Sequence, residues 1–216
     1  MLFRSYPFTA TAALGTDTLV ETAGQGVDLL DFSATTVAVT VNLGLTTSQV
    51  VNANLSLVLS AGDAFENVRG STVNDTLTGN AVANRLEGNA GNDTLQGVAG
   101  DDTLVGGLGN DSFVFNTGSA LGTDTLDESA GGLDTLDFST TTTNSVTVNL
   151  GVATTQVVNA NLSLILGADN TFENVNGGSL GDVLIGNALA NTLTGNAGND
   201  TLTGGAGNDK IGRAHV

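Results

Sequence analysis

Nine residues separate Gly70, Gly79, Gly88, Gly97 and Gly106, and the same spacing returns at Gly177, Gly186, Gly195 and Gly204. Each glycine opens a short acidic turn, most clearly in GNAGNDTLQ (88–96), GVAGDDTLV (97–105) and GGLGNDSFV (106–114). A fixed short period describes one small unit stacked on itself, so the chain must build its core by piling copies. The eighth position supplies that core: Leu77, Leu86, Leu95, Leu104 and Phe113, then Leu184, Leu193 and Leu202. One inward side chain per turn gives a thin, single-file ladder.

A longer repeat contains the short one. LGTDTL at 14–19 recurs at 121–126, QVVNANLSL at 49–57 returns unchanged at 156–164, and GNAGNDTL at 88–95 matches 195–202. From Val41 onward the offset is a constant 107 residues. Each unit therefore has a strand-rich part (14–69 and 121–176) followed by a nonapeptide part (70–115 and 177–209), with a linker at 116–120 and a ragged edge at 1–13. In the strand-rich part Val37, Val39, Val41 and Leu43 alternate with Ala38, Thr40 and Asn42, the period of a half-buried strand. Leu55, Leu57 and Leu59 do the same. GTDTL (15–19) and GVDLLDFS (26–33) read as degraded copies of the turn-plus-strand unit. The expected fold is all-β: a solenoid of short strands in two tandem 107-residue copies.

The chain carries 22 Asp plus Glu against 5 Lys plus Arg, a net charge of −17. That balance argues against nucleic acid or anionic membranes as partners and for a bound cation. There is no cysteine, which removes disulfides and thiolate–metal sites. No apolar run reaches the length of a membrane span. The opening MLFRSYPFTA has no proper apolar stretch and is not read as a cleaved signal peptide. The last six residues, IGRAHV, break the repeat; read back into codons they resemble a common short-read sequencing adapter. Residues 210–216 are accordingly read as adapter translation, with native sequence stopping at Asp209.

Within the nonapeptide, glycines at the first, second and fourth positions admit positive φ and close backbone approach. Carbonyl oxygens can then turn toward a common point, and an Asp at the sixth position adds a charged oxygen. Those residues are Asp75, Asp93, Asp102, Asp111, Asp182, Asp200 and Asp209. Calcium takes about six to eight oxygen ligands and no nitrogen or sulfur, which fits this inventory. With these motifs the chain resembles the RTX, or hemolysin-type, calcium-binding repeat proteins.

The resemblance implies a parallel β-roll with two nonapeptides per coil and Ca²⁺ between stacked turns. Carried onto this chain, Asp75, Asp93 and Asp111 stack on one edge and Asn84 over Asp102 on the other. In the second unit Asp182 stacks with Asp200, and Asn191 with Asp209. It further implies backbone carbonyl ligands from Gly88, Ala90, Gly91, Gly97, Ala99, Gly100, Gly106, Leu108 and Gly109. The second unit adds Gly195, Ala197, Gly198, Gly204, Ala206 and Gly207. Coils about 4.8 Å apart bring carboxylates into repulsion of roughly 3 kcal/mol at an effective dielectric of about 20. Such a row needs a counter-ion, so folding and metal binding are expected to be one equilibrium.

Some turns depart from the pattern. The sixth position is Asn84 or Asn191 in the second turn of each unit, and the fourth-position glycine is replaced by Val73, Val82, Leu180 and Leu189. Sites using these turns are expected to be weak, or vacant and held by amide hydrogen bonds. The most complete pair is Asp93–Asp111.

Other readings fare worse. A metal-free Asn/Thr-ladder solenoid leaves the sixth-position spacing without a purpose. An ice-binding face lacks its threonine row, since the third position carries Thr72, Ala81, Ala90, Ala99 and Leu108. GGSLG at 177–181 matches G-x-S-x-G, but it falls inside a nonapeptide turn and His215 is the single histidine. Asp101–Asp102 is explained by repeat register and Asp134–Asp137 by solvated turn chemistry, so neither is read as a glycosidase pair.

No enzyme is expected in this chain. The resemblance implies secretion by a type I system, the chain staying unfolded at low cytosolic calcium and folding outside the cell. The parent is read as a repeat-rich adhesin or surface protein. The alternative is a secreted protease, lipase or polysaccharide-modifying enzyme that uses these repeats as its folding and export appendage. Cell-surface or polysaccharide contacts are left open.

Overall fold

Short apolar–polar alternations separated by glycine turns favour strands too brief to stand alone, and each gains its partners from the coils above and below. The computed structural model describes residues 3–9, 13–128, 130–167 and 171–212. Its described residues contain strands and turns and no helix. Two eight-stranded and two three-stranded sheets make up the fold. Pairing is parallel except for Gln49–Asn52 against Leu55–Leu59 and its copy Gln156–Asn159 against Leu162–Leu166.

Successive strands alternate between facing sheets. Thr76–Thr78, Thr94–Gln96 and Ser112–Val114 stack in one, while Arg85–Ala90 and Thr103–Leu108 stack in the other. Leu77, Leu95 and Phe113 are therefore in register on one wall, and Leu86 and Leu104 on the opposite wall. All five are fully buried, as are Leu184 and Leu193. This is a β-roll, and its coils repeat every 18 residues in the nonapeptide parts.

The strand expected over 37–43 is shorter, Thr40–Asn42. Val39 is buried, but its N–H turns away from a sheet partner and donates to Asp75 Oδ1 at 2.7 Å. At the other end, Lys210–Gly212 pairs with Thr192–Thr194; residues 213–216, part of the segment read as adapter translation, lie outside the described residues.

The duplication is visible in three dimensions. Phe8 stacks on Phe32 with ring centroids 4.8 Å apart, and Phe115 on Phe138 at 5.2 Å. Tyr6 meets Phe65 edge-on at 5.8 Å, and Phe113 meets Phe172 at 5.6 Å. Phe3–Pro7 pairs with Val27–Asp31 and so matches the strand at Ser112–Val114, which pairs with Thr135–Asp137.

Candidate metal centre

The sixth-position side chains do point inward, and each spends one oxygen on the coil before it. The Asp75 N–H donates to Asp93 Oδ1 at 2.7 Å, and the Asp93 N–H to Asp111 Oδ1 at 2.7 Å. On the opposite edge the Asn84 N–H donates to Asp102 Oδ1 at 2.8 Å. In the second unit the Asp182 N–H donates to Asp200 Oδ1 and the Asn191 N–H to Asp209 Oδ1, both at 3.0 Å. The structure thus brings together the stacked pairs that the 18-residue coil requires.

These rows continue past the nonapeptides. The Asp111 N–H donates to Asp134 Oδ1 at 2.8 Å, the Asp134 N–H to Glu173 Oε2 at 2.9 Å, and the Asp102 N–H to Asp124 Oδ1 at 3.1 Å. Asp134 is 0% exposed, which corrects its reading as a solvated turn residue. Its partner in that reading, Asp137, does serve a turn by accepting the Ser139 N–H. Asp124 and Asp134 were missed because they keep only the second half of the nonapeptide, G-x-D-x-L, in GTDTL (122–126) and GLDTL (132–136).

The second carboxylate oxygen is where the turns divide. In turns with Val73, Val82, Leu180 or Leu189 at the fourth position, the second residue donates its N–H to the sixth-position side chain. The Ser71 N–H reaches Asp75 Oδ2 at 2.5 Å, Asn80 reaches Asn84 Oδ1 at 2.7 Å, Gly178 reaches Asp182 Oδ2 at 2.6 Å and Asn187 reaches Asn191 Oδ1 at 2.8 Å. These turns are closed on themselves. The Asn84 amide also donates to the Glu66 carbonyl at 3.0 Å, as Asn191 does to Glu173 at 3.1 Å.

Where the fourth residue is glycine, the second residue rotates to positive φ: 77° at Asn89, 84° at Val98 and 60° at Asn196. Its N–H is then no longer the partner of the aspartate. Oδ2 of Asp93, Asp102 and Asp111 is buried with no hydrogen-bond partner. Burial of an unpaired anionic oxygen is costly, and a cation is the natural compensation. Gly88 shows the space available: a Cβ there would collide with both Asp93 Oδ2 and the Gly106 carbonyl oxygen. A carboxylate and a carbonyl from adjacent coils thus converge on one small cradle. The matching positions at Gly70 and Gly177 gather Asp75 Oδ2 with the Gly88 carbonyl and Asp182 Oδ2 with the Gly195 carbonyl. At Gly79 and Gly186 an asparagine Oδ1 faces the Gly97 or Gly204 carbonyl instead.

One of the carbonyls that the resemblance implies also takes part in the backbone ladder. The Leu108 carbonyl accepts the Gly91 N–H at 2.8 Å. Gly91 and Gly109 hold φ of 123° and 133°, and a Cβ on either would strike the backbone of the coil below. Their glycines are needed for that close approach. Asp200 and Asp209 sit in open turns but are only half-buried, with Oδ2 against Gly195 and Gly204.

The electrostatics follow burial. Desolvation pushes Asp93 up to about 7, reinforced by the charges of Asp75 and Asp111 against the Asp75 N–H. Burial also pushes Asp102 to about 6 and Asp124 to about 8. Asp75 and Asp182 are raised by burial too, but hydrogen bonds from Ser71 and Gly178 oppose the shift. Donor type and space fit calcium: hard oxygens, carboxylate and carbonyl, with no nitrogen ligand in the cradle.

Val98 is the one β-branched residue held at positive φ among the described residues. Replacing it with glycine is expected to stabilise the protein by about 1–2 kcal/mol by removing that strain. A rightward shift of the denaturant midpoint at fixed calcium checks this.

The profile of the RTX calcium-binding nonapeptide repeat matches residues 78–113 and 176–211, in four copies. No curated protein matches the chain.

Proposed function

We propose, from the premise that this chain is a calcium-binding module built of RTX nonapeptide repeats, that it folds on binding Ca²⁺ outside the cell and serves as a structural segment of a secreted protein. The observation that carries the reading is the set of buried, unpartnered Oδ2 atoms on Asp93, Asp102 and Asp111. Asp93 and Asp111, with the Gly88 and Gly106 backbone, form the strongest site. Asp102, Asp200 and Asp209 form further ones. Turns closed by Asn84 and Asn191 hold no ion and brace the roll by hydrogen bonds.

The acidic chain, at −17, repels itself until the ion arrives. Low calcium inside a cell then keeps it unfolded for export through a type I system, and the millimolar calcium typical of extracellular modules folds it. The tandem 107-residue units suit a spacer in a repeat-rich adhesin or surface protein.

A calcium titration followed by far-UV circular dichroism, with magnesium as control, tests this. A cooperative gain of β signal with calcium alone is expected, and Asp93→Asn should shift its midpoint to at least about tenfold higher calcium, about 1.4 kcal/mol. A folded spectrum in chelator that calcium leaves unchanged would overturn the proposal.

A further inference from the structure

A group of three buried carboxylates among the described residues draws two of its members from outside the nonapeptides. Asp111, Glu128 and Asp134 are all buried, at 1%, 3% and 0% exposure. One carboxylate oxygen from each lies within 4.8 Å of the others. Gly106 donates its N–H to Glu128 Oε1 at 3.0 Å, and Asp111 donates its N–H to Asp134 Oδ1 at 2.8 Å. That leaves Asp111 Oδ2, Glu128 Oε2 and Asp134 Oδ2, each buried and each without a partner. A Cβ on Gly106 would collide with Glu128 Oε1 and Asp111 Oδ2 together. The Glu128 carboxylate therefore stands where, one coil earlier, the Gly88 cradle receives the Gly106 carbonyl.

The duplication supplies an internal control. At an offset of 107, Asp111 corresponds to Arg4 and Glu128 to Glu21; Asp134 corresponds to Asp28 at 106. The pairing agrees, because Arg4 lies opposite Asp28 in register and Phe113 lies opposite Leu136 as Tyr6 lies opposite Leu30. In the first unit the Arg4 guanidinium and the Tyr6 hydroxyl both donate to the Glu21 carboxylate. The same place at the seam between units holds a third carboxylate instead of a cation. Ion pairs among the described residues involve Arg4, Arg69 and Arg85, and none of them reaches the seam. Three buried carboxyl groups with no protein cation between them must either hold on to protons or take a cation from solution.

We propose that Asp111, from the last nonapeptide of unit one, joins Glu128 and Asp134, which lie outside the nonapeptides, in a calcium site at the seam, where the ion takes the part that Arg4 plays in the first unit. All-oxygen, carboxylate-rich ligation selects a hard divalent cation. The ion ties the last nonapeptide of unit one to the first coils of unit two. Asp111 serves both readings, but Glu128 and Asp134 belong to the seam alone.

Calcium bound per chain, measured by equilibrium dialysis on the full chain, tests this alongside thermal melts in calcium. Glu128→Gln and Asp134→Asn are each expected to bind one ion fewer and to melt lower than the parent in calcium. Glu21→Gln should leave the count unchanged. An unchanged count for Glu128→Gln, or an unchanged melt in calcium, would overturn the seam site. Asp200→Asn separates this from the nonapeptide reading. If it leaves the count intact while Glu128→Gln lowers it, the seam stands and the turns fail; the reverse result sinks the seam. Should Glu128→Gln give no folded protein in calcium, Glu128→Asp decides: one ion is expected to bind more weakly, and an unchanged isotherm counts against the site.

Discussion

In chelator, raising the pH from about 4 to about 9 is expected to unfold the protein, and saturating calcium to reverse that dependence. Burial lifts Asp93 to about 7, Asp102 to about 6, Asp124 to about 8 and Glu128 to about 9, the last aided by the charges of Asp134 and Asp111. An unfolded carboxyl titrates near 4. Between those values the folded state keeps protons that the unfolded chain has released. Their contribution to stability is complete below about pH 4 and is lost as the pH climbs through 6 to 9. Calcium needs the carboxylates deprotonated, so its binding releases protons and strengthens as the pH rises. Melts at half-unit pH steps in chelator and in millimolar calcium should therefore slope in opposite directions. A chelator series flat between pH 5 and 8 would contradict the burial argument.

Phe113→Ala is expected to cost about 3–5 kcal/mol, the range for an aromatic removed from a core. Phe113 is fully buried, stands in register between Leu95 and Leu136, and meets Phe172 edge-on. The core here is one side chain deep on each wall, so no second layer can move in to fill the space. Because Phe113 belongs to the last coil of unit one and Phe172 to unit two, the loss should lower the stability of both. Denaturant unfolding in calcium, with Val157→Ala as a control at a position 67% exposed, measures the difference. The control should change stability by less than about 0.5 kcal/mol.

The nine-residue spacing carried most of this architecture. Leu77, Leu95 and Phe113 are stacked because the period leaves them no other arrangement, and the rows of Asp75, Asp93 and Asp111 follow from the same two-turn coil. The fourth-position substitutions were also legible as a defect. What they do could not be read from the letters. Whether an amide closes onto Asp75 or turns away from Asp93 depends on the φ of the preceding second residue, which the fourth residue influences through the whole loop. Asp124 and Asp134 had lost the leading half of the motif, so a search for complete repeats passed over them. Glu128 has no motif at all; only the comparison with Glu21 and Arg4 gives its surroundings meaning.

The inner row of carboxylates has an outer counterpart running the other way. The Asn92 N–H donates to Asn74 Oδ1 at 2.8 Å and the Asn110 N–H to Asn92 Oδ1 at 2.9 Å, so neighbouring coils exchange bonds in both directions. Along this edge of the first unit, neighbouring coils repeat the same two offers upward and downward. A gene encoding such a chain can gain or lose 18 residues by slippage, and the cut ends still meet in register. A change of nine is different: it moves every later turn to the opposite edge, away from the strands with which it pairs. The molecule thus has a natural unit of inheritance, and it is twice as long as the motif by which the eye finds it.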